Sequence, residues 1–157
     1  MKFETFDQVM DFAIDREVDA RLFYLRLAHM SEDPALCHLL ESLADQELQH
    51  QKKLAKIKQR QFKMLDGDMP IPDLGIADVA PDIEPYPDMS LSEALILAMN
   101  KEKYAYRMYL ELSQKTDNPE LKGLFSALAN EEANHKVGLE IQFDDHLMNS
   151  DSSGPEG

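Results

Sequence analysis

The chain has 157 residues, a formal net charge of −14 at pH 7, one cysteine and no tryptophan. That acidity repels nucleic-acid phosphates and anionic membrane surfaces, and a lone Cys37 excludes a disulfide framework and a Cys-x-x-Cys metal knuckle. The length suits one domain with one sizeable core, and six glycines among abundant Leu, Ala, Glu and Lys favour helices.

The N-terminal Met-Lys-Phe-Glu-Thr-Phe-Asp lacks a cationic segment followed by an apolar one, and no apolar run approaches membrane-spanning length, so the expected address is the cytoplasm. Helix one is predicted over 5–30, opened by a capping box of Thr5 and Gln8. Its apolar stripe reads Phe6, Met10, Ala13, Glu17, Ala20, Tyr24, Leu27, in the alternating steps of three and four that mark a bundled helix. Asp33-Pro34 opens helix two, predicted over 34–64, with the stripe Leu36, Leu40, Leu43, Glu47, His50, Leu54, Ile57. Cys37 falls among leucines as a small apolar filler. The cationic run from Lys52 to Lys63 reads as a solvated helix face, with docking of an acidic partner or another subunit as the lesser reading.

From 65 to 89 the periodicity lapses and five prolines intervene (Pro70, Pro72, Pro81, Pro85, Pro87). Adjacent antiparallel helices need only a few linking residues, so this stretch is expected to cross the bundle end to end and set helices two and three parallel. Helix three is predicted over 90–115, opened by Ser90 with Glu93, along the stripe Leu91, Leu95, Ala98, Glu102, Ala105, Tyr109, Leu112. Asn118-Pro119 opens helix four, predicted over 119–147, with Leu121, Phe125, Leu128, Glu132, His135, Leu139. The single domain is thus expected over 1–148, as hairpin 5–64, crossover 65–89 and hairpin 90–147, with a disordered tail at 149–157.

The two hairpins repeat. Residues 13–54 and 98–139 align without gaps and share 14 of 42 positions, which points to duplication and an approximate twofold axis. The repeated set contains one glutamate and one Glu-x-x-His: Glu17 with Glu47 and His50, and Glu102 with Glu132 and His135. The midpoint of each glutamate pair falls in a predicted turn, so both carboxylates lie about 22 Å from the bend, at one height. Four carboxylates in an apolar core repel one another, and no Lys or Arg falls on the inward stripes to offset them. Two divalent cations cancel the four charges, and mixed carboxylate and imidazole ligation suits iron or manganese. The candidate metal ligands are therefore Glu17, Glu47, His50, Glu102, Glu132 and His135. Tyr24 and Tyr109, two turns beyond Glu17 and Glu102 on the same faces, are placed to donate to a carboxylate. Gln46 and Glu131 precede the Glu-x-x-His pairs and could orient a histidine's free nitrogen. His29, His38 and His146 lie off the stripes, and His38 with Glu41 faces the wrong way.

Glu17-x-x-Ala20-x-x-Phe23-Tyr24, then Glu47-x-x-His50, and the second copy of this pattern resemble the rubrerythrin branch of the ferritin-like di-iron proteins, over roughly residues 5–147. The resemblance implies an all-α, antiparallel four-helix bundle of ferritin-like type, with the long crossover between helices two and three. It implies two iron ions, with Glu47 and Glu132 bridging while Glu17 with His50 and Glu102 with His135 cap. It also implies reduction of hydrogen peroxide or dioxygen by the centre, with Glu17, Glu47, Glu102, Glu132, Tyr24 and Tyr109 as catalytic candidates. Rubrerythrins usually add a rubredoxin-like module with cysteine-ligated iron, which a chain with one cysteine cannot hold, so a separate electron-donor protein is expected. They also carry an extra glutamate on helix three, where Ala105 follows Glu102 by three, and an acidic residue where this chain has His135. The symmetric set is closer to the bacterioferritin ferroxidase centre. A ferroxidase that oxidises Fe(II) and a non-catalytic, metal-stabilised interaction module are the competing expectations. A homodimer is expected because related bundles associate and the connector permits hairpin exchange.

Overall fold

The computed structural model describes residues 3–64, 74–76 and 89–152, with the backbone alone at 61–64 and 149–152. Four helices follow in order: α1 (Phe6–Met30), α2 (Pro34–Met64), α3 (Leu91–Lys115) and α4 (Pro119–Ser152). Their starts follow from side chains that satisfy otherwise orphaned backbone donors. The Thr5 hydroxyl accepts from the Gln8 N–H, while the Gln8 side chain reaches back to the Glu4 N–H at 2.7 Å. The Ser90 hydroxyl accepts from the Glu93 N–H. Asp33 accepts from the Ala35 N–H and Asn118 from the N–H groups of Glu120 and Leu121. At the C-terminus α4 continues to Ser152, beyond the expected end at 147, since Asn149-Ser150-Asp151-Ser152 contains no glycine or proline to stop it. The rest of the expected tail, and the crossover apart from 74–76 and 89, lie outside the described residues.

Helix direction can be read from the contacts. Tyr24 meets Glu102 and Glu17 meets Tyr109, so α1 and α3 run antiparallel. Gln46 meets His135 and His50 meets Glu131, so α2 and α4 do too. Each hairpin packs along its length, α1 with α3 and α2 with α4 close the ring, and α2 lies diagonal to α3. α2 and α3 therefore run parallel, as expected, across the diagonal of the bundle.

Two apolar clusters fill the bundle, one on each side of mid-height. Leu27, Leu36, Leu40, Leu95 and Leu139 belong to the cluster near the α1–α2 turn; Met10, Leu54, Leu112, Leu121 and Phe125 belong to the other. The connector is tied to both: Met89 packs in the first and the fully buried Leu74 in the second. Next to Leu74, the backbone N–H groups of Gly75 and Ile76 donate to the Glu111 carboxylate at 2.8 and 3.2 Å. Among the described residues, no helix is long and apolar enough to cross a membrane.

Leu74 therefore anchors the crossover as a core residue. Leu74→Ala should lower the unfolding free energy by about 2–5 kcal/mol, the usual cost of truncating a buried leucine, as measured by urea denaturation of the metal-free protein.

Candidate metal centre

Between the apolar clusters, Glu17, Glu47, His50, Glu102, Glu132 and His135 are all buried, with none more than 5% exposed. One comes from α1, one from α3 and two each from α2 and α4, as their places on the inward stripes require. Within each Glu-x-x-His, three-residue spacing turns both side chains to one face. Ligand atoms of Glu17, Glu47, His50 and Glu132 lie within 4.8 Å of one another, as do those of Glu47, Glu102, Glu132 and His135. Glu47 and Glu132 belong to both groups. His50 Nδ1 stands 2.8 Å from Glu132 and His135 Nδ1 stands 2.9 Å from Glu47, each across the α2–α4 seam. The two imidazoles stack nearly parallel, with centroids 5.9 Å apart.

All six residues present a buried atom without a hydrogen-bond partner: Oε2 of Glu17 and Glu102, Oε1 of Glu47 and Glu132, and Nδ1 of His50 and His135. Four of these atoms face one another as the His50–Glu132 and His135–Glu47 contacts, and the remaining Glu17 and Glu102 oxygens have no hydrogen-bond partner. Six converging on one point form a donor set that fits two divalent cations, with two anionic oxygens and one imidazole nitrogen available around each and the shared carboxylates between.

The outward atoms of the set are held. His50 Nε2–H donates to Glu131, and His135 Nε2–H donates to Gln46 at 2.6 Å, which leaves each Nδ1 turned inward, able to ligate a metal once it gives up its proton. Tyr24 donates to Glu102 and Tyr109 to Glu17. Every one of these supports crosses to the other hairpin, because antiparallel packing sets residue 24 opposite 102 and residue 46 opposite 135. Cys37 takes no part, its thiol resting against the carbonyls of Ala28 and Ser31. His29, His38 and Glu41 are exposed and His146 is half-buried, away from the centre, as expected.

In the metal-free protein the cluster redistributes protons. Burial, then contact with Glu47, holds the Glu17 carboxyl well above the usual range. Burial, then the charges of Glu102 and Glu17, does the same to Glu132. Burial alone would raise Glu47, but contacts with Glu17, His135 and His50 overcome it and hold that carboxyl low. Burial alone would lower the histidines; the facing carboxylates, Glu17 and Glu47 at His50 and Glu102 and Glu47 at His135, push them up to about 10 and about 9. Burial, then the carboxylate charges, keeps both phenols protonated and donating.

A cavity of about 30 Å³ opens between α1 and α3 onto Glu17, Glu47, Glu102 and Glu132. It has room for about one or two water-sized molecules. Ala20 and Ala105 keep it open, and Arg16, Asp19, Lys101 and Tyr104 complete its walls. Lys101 is 13% exposed and pairs with Asp19 at 3.0 Å, while Arg16 Nε and the Tyr104 hydroxyl are buried without a partner. These four wall residues sit beside the stripes, so apolar periodicity does not mark them. The repeat does carry a signal for two of them: a cation precedes the glutamate in both copies, as Arg16-Glu17 and Lys101-Glu102.

Residues 8–141 match the family model for rubrerythrin. The chain belongs to the rubrerythrin family. Among solved structures, a hypothetical protein from Pyrococcus furiosus is similar at 25% identity, with a TM-score of 0.72 and 89% of each chain covered. No curated protein matches significantly. The rubrerythrin match spans both hairpins, so it includes all six inward residues and the cross-hairpin supports.

Two measurements test the centre. Glu47→Ala or Glu132→Ala should remove at least one metal per chain by inductively coupled plasma analysis, since each carboxylate belongs to both groups. Loading the metal-free protein at neutral pH should release protons, because His50, His135, Glu17 and Glu132 hold protons that the metals displace. Calorimetry in buffers of different ionisation enthalpy should show that release. Metal affinity should rise with pH, toward the range around 9–10 where the histidines give up their protons.

Proposed function

We propose that this rubrerythrin-family chain is a non-haem di-iron oxidoreductase that reduces hydrogen peroxide, or dioxygen, with electrons from a separate donor protein. The observation that carries the reading is the small cavity, which ends on the two carboxylates common to both ligand groups. Peroxide and dioxygen fit such a space. Iron bound by the six residues would supply redox electrons and Lewis acidity; manganese or a mixed pair would suit the same donors.

The chain's own contribution is positioning. Glu47 and Glu132 would bridge, with Glu17 and His50 on one ion and Glu102 and His135 on the other. Tyr109 and Tyr24 hold the capping carboxylates Glu17 and Glu102 in place. The alanines keep the α1–α3 side open, and the apolar clusters above and below exclude bulk water. Reduction of one hydrogen peroxide takes two electrons and two protons and yields two waters.

Ferroxidase activity is the nearest competitor. The cavity wall sets Arg16 and the Lys101–Asp19 pair against four glutamates, so its charge does not oppose Fe(II), and the two activities are separated by their rates with each oxidant. A structural pair of metals in an interaction module leaves the cavity without a use. The proposed setting is cytoplasmic and homodimeric. Apolar Val18, Leu22 and Leu25, exposed at 37%, 57% and 38% on the outer face of α1, offer surface for such association.

Stopped-flow mixing of the di-ferrous protein should give oxidation by peroxide at least about tenfold faster than by dioxygen, a barrier difference of roughly 1.4 kcal/mol. Comparable rates with dioxygen, together with turnover of added Fe(II), would transfer the assignment to ferroxidase. Ala105→Leu should fill the cavity and slow oxidation by either oxidant while the metal content stays unchanged.

A further inference from the structure

The two histidines leave the centre through unlike groups, although the hairpins are otherwise equivalent. His135 ends on the neutral amide of Gln46, whose α2 neighbours Glu41 and Asp45 are exposed acids. The cation nearby in sequence on α4, Lys136, pairs with Glu140. His50 instead ends on Glu131, a carboxylate 42% exposed at the surface, with Lys53 Nζ 4.0 Å away. Lys53 also lines a groove of about 260 Å³ between α2 and α4, with Ile57, Leu121 and Leu124 as apolar floor and Lys53, Lys56 and Arg60 on its rim. Glu120 shares that rim and pairs with Arg60 at 2.5 Å, while Lys58 pairs with Asp11. In a chain of net charge −14, this concentration of cations beside an outlet of the centre stands out.

We propose that the Lys53–Lys56–Arg60 groove docks an acidic protein carrying a one-electron centre, whose electrons reach the metal site through Glu131 and His50. An apolar floor inside a charged rim is the anatomy of a small, transient interface, and rim charges of this kind act chiefly on the rate of encounter. An extended duplex would run from these few cations onto the acidic remainder of the surface and leave the apolar floor unused, whereas a compact acidic protein can confine its contact to the groove. Two successive visits, each oxidising the donor by one electron, supply the two electrons that convert one hydrogen peroxide and two protons to two waters. The inference rests on the redox function proposed above and names its partner.

The test uses a reduced, acidic [2Fe–2S] ferredoxin as probe, with binding to the metal-free full chain measured by calorimetry at low ionic strength. The expected result is binding that weakens with added salt. Lys56→Glu/Arg60→Glu should weaken it at least about tenfold, and the neutral pair Lys56→Gln/Arg60→Gln by less. Lys103→Glu/Arg107→Glu, the same change in net charge on exposed positions of α3, should change it by less than about twofold. Far-UV circular dichroism of the metal-free chain, and the metal content after iron loading, should be unchanged in all three variants. Equal weakening by the α3 pair, absence of ferredoxin binding, or preferred binding of a DNA duplex would overturn the proposal. The redox reading fails separately: protein loaded with iron and reduced by a small neutral reductant would then not react with peroxide, while the groove could still bind the ferredoxin.

Discussion

Four carboxylates sharing a dry bundle core is the constraint to which everything else in this rubrerythrin-family chain answers. Their mutual repulsion and desolvation are relieved either by protons, as in the metal-free cluster, or by cations. Burial raises Glu17 and Glu132 while the histidines, facing carboxylates on several sides, hold protons far above their ordinary range. Protons are a partial answer, since each ligand group still packs three carboxylates and an imidazole within 4.8 Å of one another. Metal ions answer both needs at once, because they neutralise charge and accept the orphaned lone pairs.

The scaffold keeps this unfavourable cluster intact by separating the work. Apolar clusters on either side of mid-height supply the cohesion, and the connector adds Leu74 to one and Met89 to the other. The outer hydrogen bonds then fix orientation across the hairpin boundary, with Tyr24, Tyr109, Gln46 and Glu131 each reaching the opposite hairpin. One consequence is that neither hairpin can form a finished half-site alone. The α1–α3 side is left to small molecules by Ala20 and Ala105, and the α2–α4 side carries the histidines and the cationic groove. On the proposed function, oxidant and electrons would meet separate faces.

Much of this was legible in the chain. The stripes, the caps at Thr5, Asp33, Ser90 and Asn118, and the six polar interruptions of the core are local patterns, and local backbone chemistry decides them. The part that escaped has a common cause. Arg16, Asp19, Lys101 and Tyr104 sit one or two positions off the stripes, where a side chain's surroundings depend on how closely two helices approach. The end of α4 at Ser152 is not legible in the sequence, because a polar run without glycine or proline is compatible with either helix or tail.

By itself the sequence determined that six ligand-type residues lie at one height in two duplicated hairpins, since helical periodicity and the turn positions fix where each falls along its axis. Only the tertiary structure decided their pairing: Tyr24 with Glu102 rather than Glu17, Glu131 with His50, Gln46 with His135, and Glu47 and Glu132 in both ligand groups. Periodicity places a residue on the face of its own helix. Which residue it meets depends on the direction and register of the neighbouring helix, and those are set by long-range packing.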